Sequence, residues 1–201
     1  MIEQIFKNIL TVVYEQTGFA FVLAVLFMFF YLYAKEHGWR VALKKWWQFF
    51  CSSYKFRRML IFAFYLAMLL FRTLFNRDMW KNPLSDLMGG WGLYNANREL
   101  TTESFENVIL FIPVIVLIYW NFLEEIFKEK FTFATMAIKS ILIALTFSLG
   151  IELFQLFFRV GTFQLSDLCY NTLGGLIGGF IYWGGYKVAH RNKKEKEDNI
   201  S

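Results

Sequence analysis

Polar residues are sparse along much of this chain, and the gaps between them define its elements. Near-continuous apolar runs occupy Gly18–Ala34, Met59–Phe75, Val108–Leu123, Ile141–Phe158 and Leu168–Tyr186. Each is about 16 to 19 residues long, close to the roughly 20 that a helix needs to cross a hydrocarbon core of about 30 Å. Lipid offers a backbone no hydrogen-bond partners, so such runs must close their bonds internally as helices. The pattern predicts an all-α, polytopic transmembrane bundle of about five spanning helices. A soluble helical protein with buried core helices is the competing fold. Five such runs, with only 2 prolines in the chain, argue against it. The first run is expected to be retained rather than cleaved. Its leading segment is not basic, and no A-x-A site follows Tyr31–Ala34.

The segments between the runs have patterns of their own. Gly38–Phe50 reads GWRVALKKWWQFF. At helical spacing Trp39, Leu43, Trp46 and Phe50 share one face, while Arg40, Lys44 and Lys45 spread across the other. That predicts an interfacial amphipathic helix lying on an anionic inner leaflet. Asn76–Phe105 is the longest stretch without a helical apolar pattern, and it contains Pro83, Gly89, Gly90, Gly92, Trp80, Trp91 and Tyr94. A lid, a re-entrant piece and a plain loop resting in the headgroup layer all suit it. The last run carries Gly174, Gly175, Gly178 and Gly179, two interleaved small-xxx-small pairs that let another helix approach closely in lipid. The partner helix is either inside the bundle or in a second copy, as a homo-oligomer. Arg191–Ser201 is mixed in charge and expected to be disordered.

Composition supports the membrane assignment, and charge orients it. Of 201 residues 57% are hydrophobic, 21% aromatic and 18% charged, where a soluble domain carries about a quarter charged. The net charge of +5 would suggest nucleic acid in a soluble protein. Here the basic residues gather in Lys35–Arg58 and after Tyr186, which the positive-inside rule places in the cytoplasm. No nucleic-acid partner is expected; membrane lipids are. Five crossings then give a multi-pass plasma-membrane protein with its N-terminus outside and its C-terminus inside. Three regions result: an N-terminal helix with its basic cytoplasmic segment (1–58), a four-helix membrane core (59–186) and a charged cytoplasmic tail (187–201). Cys51 and Cys169 fall on opposite sides of the membrane and cannot pair. No zinc spacing, metal-ligand motif, cofactor motif or lipidation signal is present.

Ionisable groups within a membrane usually face a cavity or a partner, so their depth is informative. Arg72 lies near the outer end of the second spanning helix, and Glu106 and Asn107 at the outer start of the third. The fourth carries Ser148, Glu152, Gln155 and Arg159, whose steps of four, three and four stack on one face. The fifth begins with Ser166, Asp167 and Asn171. Four helices thus direct polar groups to the outer half of the bilayer, where they are expected to surround one cavity with an Arg–carboxylate pair in contact. A network of buried ion pairs that fixes helix register explains the same residues structurally. The functional reading is an outer-leaflet pocket in which Arg72 and Arg159 grip phosphate or carboxylate.

The run Ser148-Leu-Gly-Ile-Glu152-Leu-Phe-Gln155, then Arg159, Asp167 and Asn171-Thr-Leu-Gly-Gly175, resembles the signature of the VanZ-like membrane proteins. Glu106-Asn107-Val-Ile-Leu-Phe-Ile-Pro113 resembles that family's helix start ending in Phe-x-Pro, and Arg72 matches its arginine late in the preceding helix. Val114 and Ile115 follow where the family commonly has glycine. The resemblance covers Met59–Tyr186. It implies a link to resistance against lipoglycopeptide antibiotics such as teicoplanin, in a Gram-positive-type envelope.

Three functions fit this pattern. A non-enzymatic binder would engage a lipid head group, a lipid-linked cell-wall precursor or the lipidated drug through Arg72, Glu106, Asn107, Ser148, Glu152, Gln155, Arg159, Asp167 and Asn171. An enzyme acting on a lipid-linked sugar or phosphate would use Glu152 and Asp167 as acid and base. Both histidines, His37 and His190, lie away from that cluster, and no nucleophile motif is present. A transporter or scramblase would need an oligomer to complete a polar path. The binder is the best supported of the three.

The assigned orientation is open to a direct check. Cysteine labelling of intact cells is expected to reach Gly90→Cys and to miss Lys194→Cys. The reverse result would move the polar cluster to the inner leaflet.

Overall fold

A computed structural model describes residues 21–74, 82–92, 102–128 and 131–198, with backbone alone beyond Arg191. The described residues form six helices: α1 (Phe21–His37), α2 (Trp39–Ser52), α3 (Tyr54–Leu74), α4 (Glu103–Ile126), α5 (Phe133–Phe158) and α6 (Leu165–Asp198). No strand occurs among them. The expected helical class is therefore correct. By length and composition α4 and α5 can cross a membrane, and α1 with α2 is a third candidate if that bent pair counts as one span. Arg57, Arg58 and Arg72 interrupt the apolar length of α3, and six glycines with interspersed Tyr and Trp dilute that of α6. Gly18–Ala20, Asn76–Lys81 and Leu93–Thr101 lie outside the described residues.

The chain divides into two compact units, Met1–Leu60 and Ile61–Ser201. In the first, α1 and α2 meet at an angle of 113°. Gly38 makes the corner with φ +88, a conformation L side chains rarely adopt. Ala34 and Ala42 are buried on either side of it. The next corner is fixed by polar contacts. Ser53 Oγ accepts from the Phe56 amide at 3.2 Å, and Arg57 Nη1 donates to the carbonyls of Phe50 and Cys51 at 3.0 and 2.8 Å. Those carbonyls belong to the last turn of α2, where helical donors run out.

In the second unit α6 lies between α4 and α5 and packs on both, whereas α4 and α5 barely meet. Glycine makes this possible. A methyl group at Gly174 or Gly178 would overlap the α4 carbonyl oxygens of Val108 or Ile112. One at Gly175 or Gly179 would overlap Ala144 Cβ or Ser140 Oγ of α5. The partners of the glycine pairs are thus two helices of the same chain. Around the seam lie buried Leu69, Phe111, Val114, Ile115, Tyr119, Met136, Ala144 and Ile151. The buried Tyr119 hydroxyl meets Ser140 Oγ at 2.8 Å and the Met136 carbonyl at 3.3 Å. That polar contact was not evident in the charge pattern.

Two boundaries differ from the apolar runs. Helix α4 starts at Glu103, ahead of Val108, because Glu103 and Glu106 in its first turn favour the positive end of the helix dipole. Helix α6 continues to Asp198, through a tail that its charge mixture predicts to be disordered. Lysine and glutamate are good helix formers, and an existing helix extends far more easily than a new one nucleates.

The glycine seam gives a stability test. Gly178→Val is expected to cost at least about 1–3 kcal/mol, since backbone cannot yield to the added methyls. Gly184→Ala and Gly185→Ala, with nothing within 4 Å of an added Cβ, should be neutral or stabilise by up to about 1 kcal/mol. Thermal unfolding in detergent measures both, and equal behaviour of the three variants would contradict this packing.

Candidate functional site

The polar residues gather at the end of the second unit where α3 finishes and α4 and α6 begin. They are divided among several contacts. On one flank Arg72 Nη2 donates to Glu106 Oε2 at 2.6 Å. The other oxygen, Oε1, accepts from the Thr102 hydroxyl at 2.7 Å. Glu106 is thereby held on both sides. Arg72, with Nη1 and Nε unbonded to any described residue, keeps donors in reserve. The pair lines a groove of about 320 Å³ with Met68, Ile109 and Leu110. Pro113, one helical turn beyond Ile109, has no N–H, so the Ile109 carbonyl loses its usual donor. The groove offers apolar walls and a guanidinium.

Deeper in the unit, bonds run between helices. Asn107 Nδ2 of α4 donates to Asp167 Oδ1 in the first turn of α6 at 2.7 Å. Asn171 Nδ2 of α6 donates to Ser148 Oγ of α5 at 2.9 Å. Gln155 Nε2 of α5 donates to the Thr73 carbonyl of α3 at 2.6 Å. Glu152, 2% exposed, accepts the Gln164 amide on Oε2 at 2.8 Å. Asn171 Oδ1 and Ser166 Oγ are buried with no hydrogen-bond partner. That leaves unspent polar capacity inside the cluster.

The segment 82–92 closes over this end. Its Pro83, Leu87 and Met88 carbonyls accept from the amides of Phe163, Leu165 and Ser166 at 2.8, 3.0 and 3.3 Å. Two of those amides belong to the first turn of α6, which has no intrahelical acceptors for them. Asp86 Oδ2 accepts from Gln164 Nε2 at 3.0 Å. Gly92 is held by the Tyr170 hydroxyl and by Ser104 Oγ, both at 3.0 Å. Gly89 sits so near Ser166 Oγ that a side chain would not fit.

The helical stripe Ser148, Glu152 and Gln155 is buried along one face of α5, as its spacing predicts. Arg159 leaves it. There α5 ends, with Arg159 in the left-handed conformation at φ 53. Its exposed side chain makes no hydrogen bond or ion pair with another described residue. Glu152 and Asp167 are held by different donors rather than forming one pair. Thr73, Asp86, Thr102 and Gln164 join the cluster without having been singled out in the sequence. Thr73 contributes a backbone carbonyl, which leaves no trace in residue identity. Gln164 was visible as a polar residue just before α6, with Asp167 in that helix's first turn. No group of three or more His, Cys, Asp or Glu suited to a metal occurs among the described residues.

Residues 3–188 match the family described as VanZ/LLP1, so the match also takes in α1 and α2, beyond the Met59–Tyr186 carried by the motif string. The chain is similar to Protein VanZ of Enterococcus faecium, 36% identical over 93 residues. That alignment covers 46% of this chain and 50% of the relative, so the chain spans about half the length of the curated relative it matches. No solved structure matches. With the family match covering nearly the whole length, this chain is a member of the VanZ/LLP1 family.

Proposed function

We propose that this protein is a multi-pass plasma-membrane binder that contributes to resistance against lipoglycopeptide antibiotics of the teicoplanin type. It engages an amphiphile with a polar or anionic head, in the groove between α3 and α4. A lipid head group, a lipid-linked cell-wall precursor and the lipidated drug share that chemistry. Five spans, with the N-terminus outside and the C-terminus inside, set the groove in the outer half of the bilayer. The observation that carries this reading is the Arg72–Glu106 pair at 2.6 Å, beside the apolar wall of Met68, Ile109 and Leu110. Glu106 orients the guanidinium, whose free edge meets the head, while the apolar wall accepts the chain. Asn107, Ser148, Glu152, Gln155, Asp167 and Asn171 hold the surrounding helices in register, and Arg159 adds positive charge at the outer surface. Family kinship supports the resistance link. Acid–base catalysis has less support, because Glu152 already accepts a backbone amide and Asp167 an asparagine amide.

Exposure makes the test informative. The Arg72 and Glu106 side chains are 56% and 41% exposed, so neither is part of the packed core. Arg72→Gln should therefore leave the amount of protein in the membrane unchanged. Protection against a teicoplanin-type drug, read as the inhibitory concentration, should fall several-fold toward that of cells lacking the protein. Full protection from well-expressed Arg72→Gln would remove this groove from the function.

A further inference from the structure

Helix α2 takes no part in the groove between α3 and α4, yet its surface is unusual for a connecting segment. The corner at Gly38 turns it 113° from α1, so it runs nearly perpendicular to a helix that is apolar from Phe21 to Ala34. The geometry at its other end is fixed by Arg57 on the Phe50 and Cys51 carbonyls. A helix held across the end of a spanning helix lies in the plane of the interface.

Its two faces differ in chemistry. One packs toward its neighbours: Trp39 lies 5.6 Å from Phe30 of α1, and Trp46 lies 5.5 Å from Phe50 and 5.8 Å from Phe56 of α3. The other face presents Arg40, Lys44 and Lys45, all exposed, with the Lys45 ammonium 5.9 Å from the centre of the Tyr33 ring of α1. Lys35 and Lys55 flank them, also exposed, and Glu36 is the single acidic residue between positions 35 and 58. Along the border between the faces, Leu43 and Trp47 remain 60% and 62% exposed. A soluble acidic partner would leave those two apolar side chains in water. A lipid surface accommodates both chemistries at once, phosphate against the basic residues and acyl chain against Leu43 and Trp47.

We propose that α2 is an in-plane anchor selective for anionic phospholipid, with Arg40, Lys44 and Lys45 holding headgroup phosphates while Leu43 and Trp47 rest at the acyl boundary. Because α1 and α3 continue from both of its ends, α2 meets lipid at fixed depth. Headgroup choice then depends on charge rather than on partitioning. Each basic residue near an anionic surface strengthens attraction roughly fivefold, so loss of three should be conspicuous.

The test uses the full chain in phosphatidylcholine vesicles with spin-labelled phosphatidylglycerol or spin-labelled phosphatidylcholine as the probe. The chain is expected to restrict the anionic probe several-fold more than the zwitterionic one, and raised salt should shrink the excess. R40Q/K44Q/K45Q should lose most of the excess, whereas K44R/K45R, which keeps the charge, should retain it. Equal restriction of the two probes by the natural chain would overturn the proposal and leave the basic face to an acidic protein segment. An excess that survives the triple substitution, or disappears in K44R/K45R, would equally overturn it.

Discussion

The backbones of α4 and α6 approach so closely that neither Gly174 nor Gly178 has room for one methyl group. In lipid there is no hydrophobic drive to press helices together, because the surrounding chains are as apolar as the side chains. Contact must come from packing and interhelical hydrogen bonds. The four glycines allow the first, and they set the spacing for the second. Asn107–Asp167 at 2.7 Å and Asn171–Ser148 at 2.9 Å join α6 to α4 and α5. Both are short-range bonds that a displacement of α6 by a methyl's width would stretch beyond use. The segment 82–92 depends on the same seam, since Leu87 and Met88 can reach the α6 amides only where that helix begins.

Helix α3 is held differently. It carries no glycine, and beside the buried Leu69 its ties to the rest are long polar reaches: Tyr65 to the Leu110 carbonyl at 2.9 Å, Arg72 to Glu106, and the Thr73 carbonyl to Gln155. Helices joined through extended side chains leave space on either side of the joints. One such space is the groove with Arg72 and Glu106. The other, about 560 Å³, opens between Leu70 and Leu74 of α3 and Leu142, Phe147, Ile151 and Phe154 of α5, with an almost wholly apolar lining. The close-packed trio thus supplies rigidity and the looser helix supplies cavities. Placing the charged pair in the gap between α3 and α4 leaves the seam unburdened by its desolvation.

Much of this was legible in the sequence because it rests on side-chain identity at helical spacing. The glycine pairs predict close approach, and the steps from Ser148 to Gln155 predict a buried polar stripe; both are present. Extrapolating the stripe to Arg159 goes one turn too far. Helical phase holds only while the helix lasts, and α5 ends there. What the sequence conceals is the acceptor side of the network. Thr73, Pro83, Leu87 and Met88 act through carbonyls that every residue possesses, so no residue type announces them. The sequence predicts one shared cavity; in the structure Arg72 and Glu106 line one groove, while Asn107, Ser148, Gln155, Asp167 and Asn171 bond between helices. The sequence does not resolve which helix pair each bond joins.

The chemistry of Glu152 and Gln155 explains why an acidic residue and an amide are needed three positions apart on one face. Glu152 faces a donor, the Gln164 amide in the connection to α6; Gln155 faces an acceptor, the Thr73 carbonyl of α3. An ionised carboxylate only accepts, so it cannot satisfy a carbonyl, while an amide can donate. Exchanging the two residues would turn a carboxylate toward a carbonyl oxygen inside a buried site, where opposed acceptors cost most. Together they fasten the connection between α5 and α6 on one side and the end of α3 on the other to α5. The Gln164 side chain extends the first of these ties to Asp86 of the segment 82–92. Glu152 and Gln155 are thus committed to holding backbone. Arg72, with one nitrogen engaged on Glu106, lines an open groove instead.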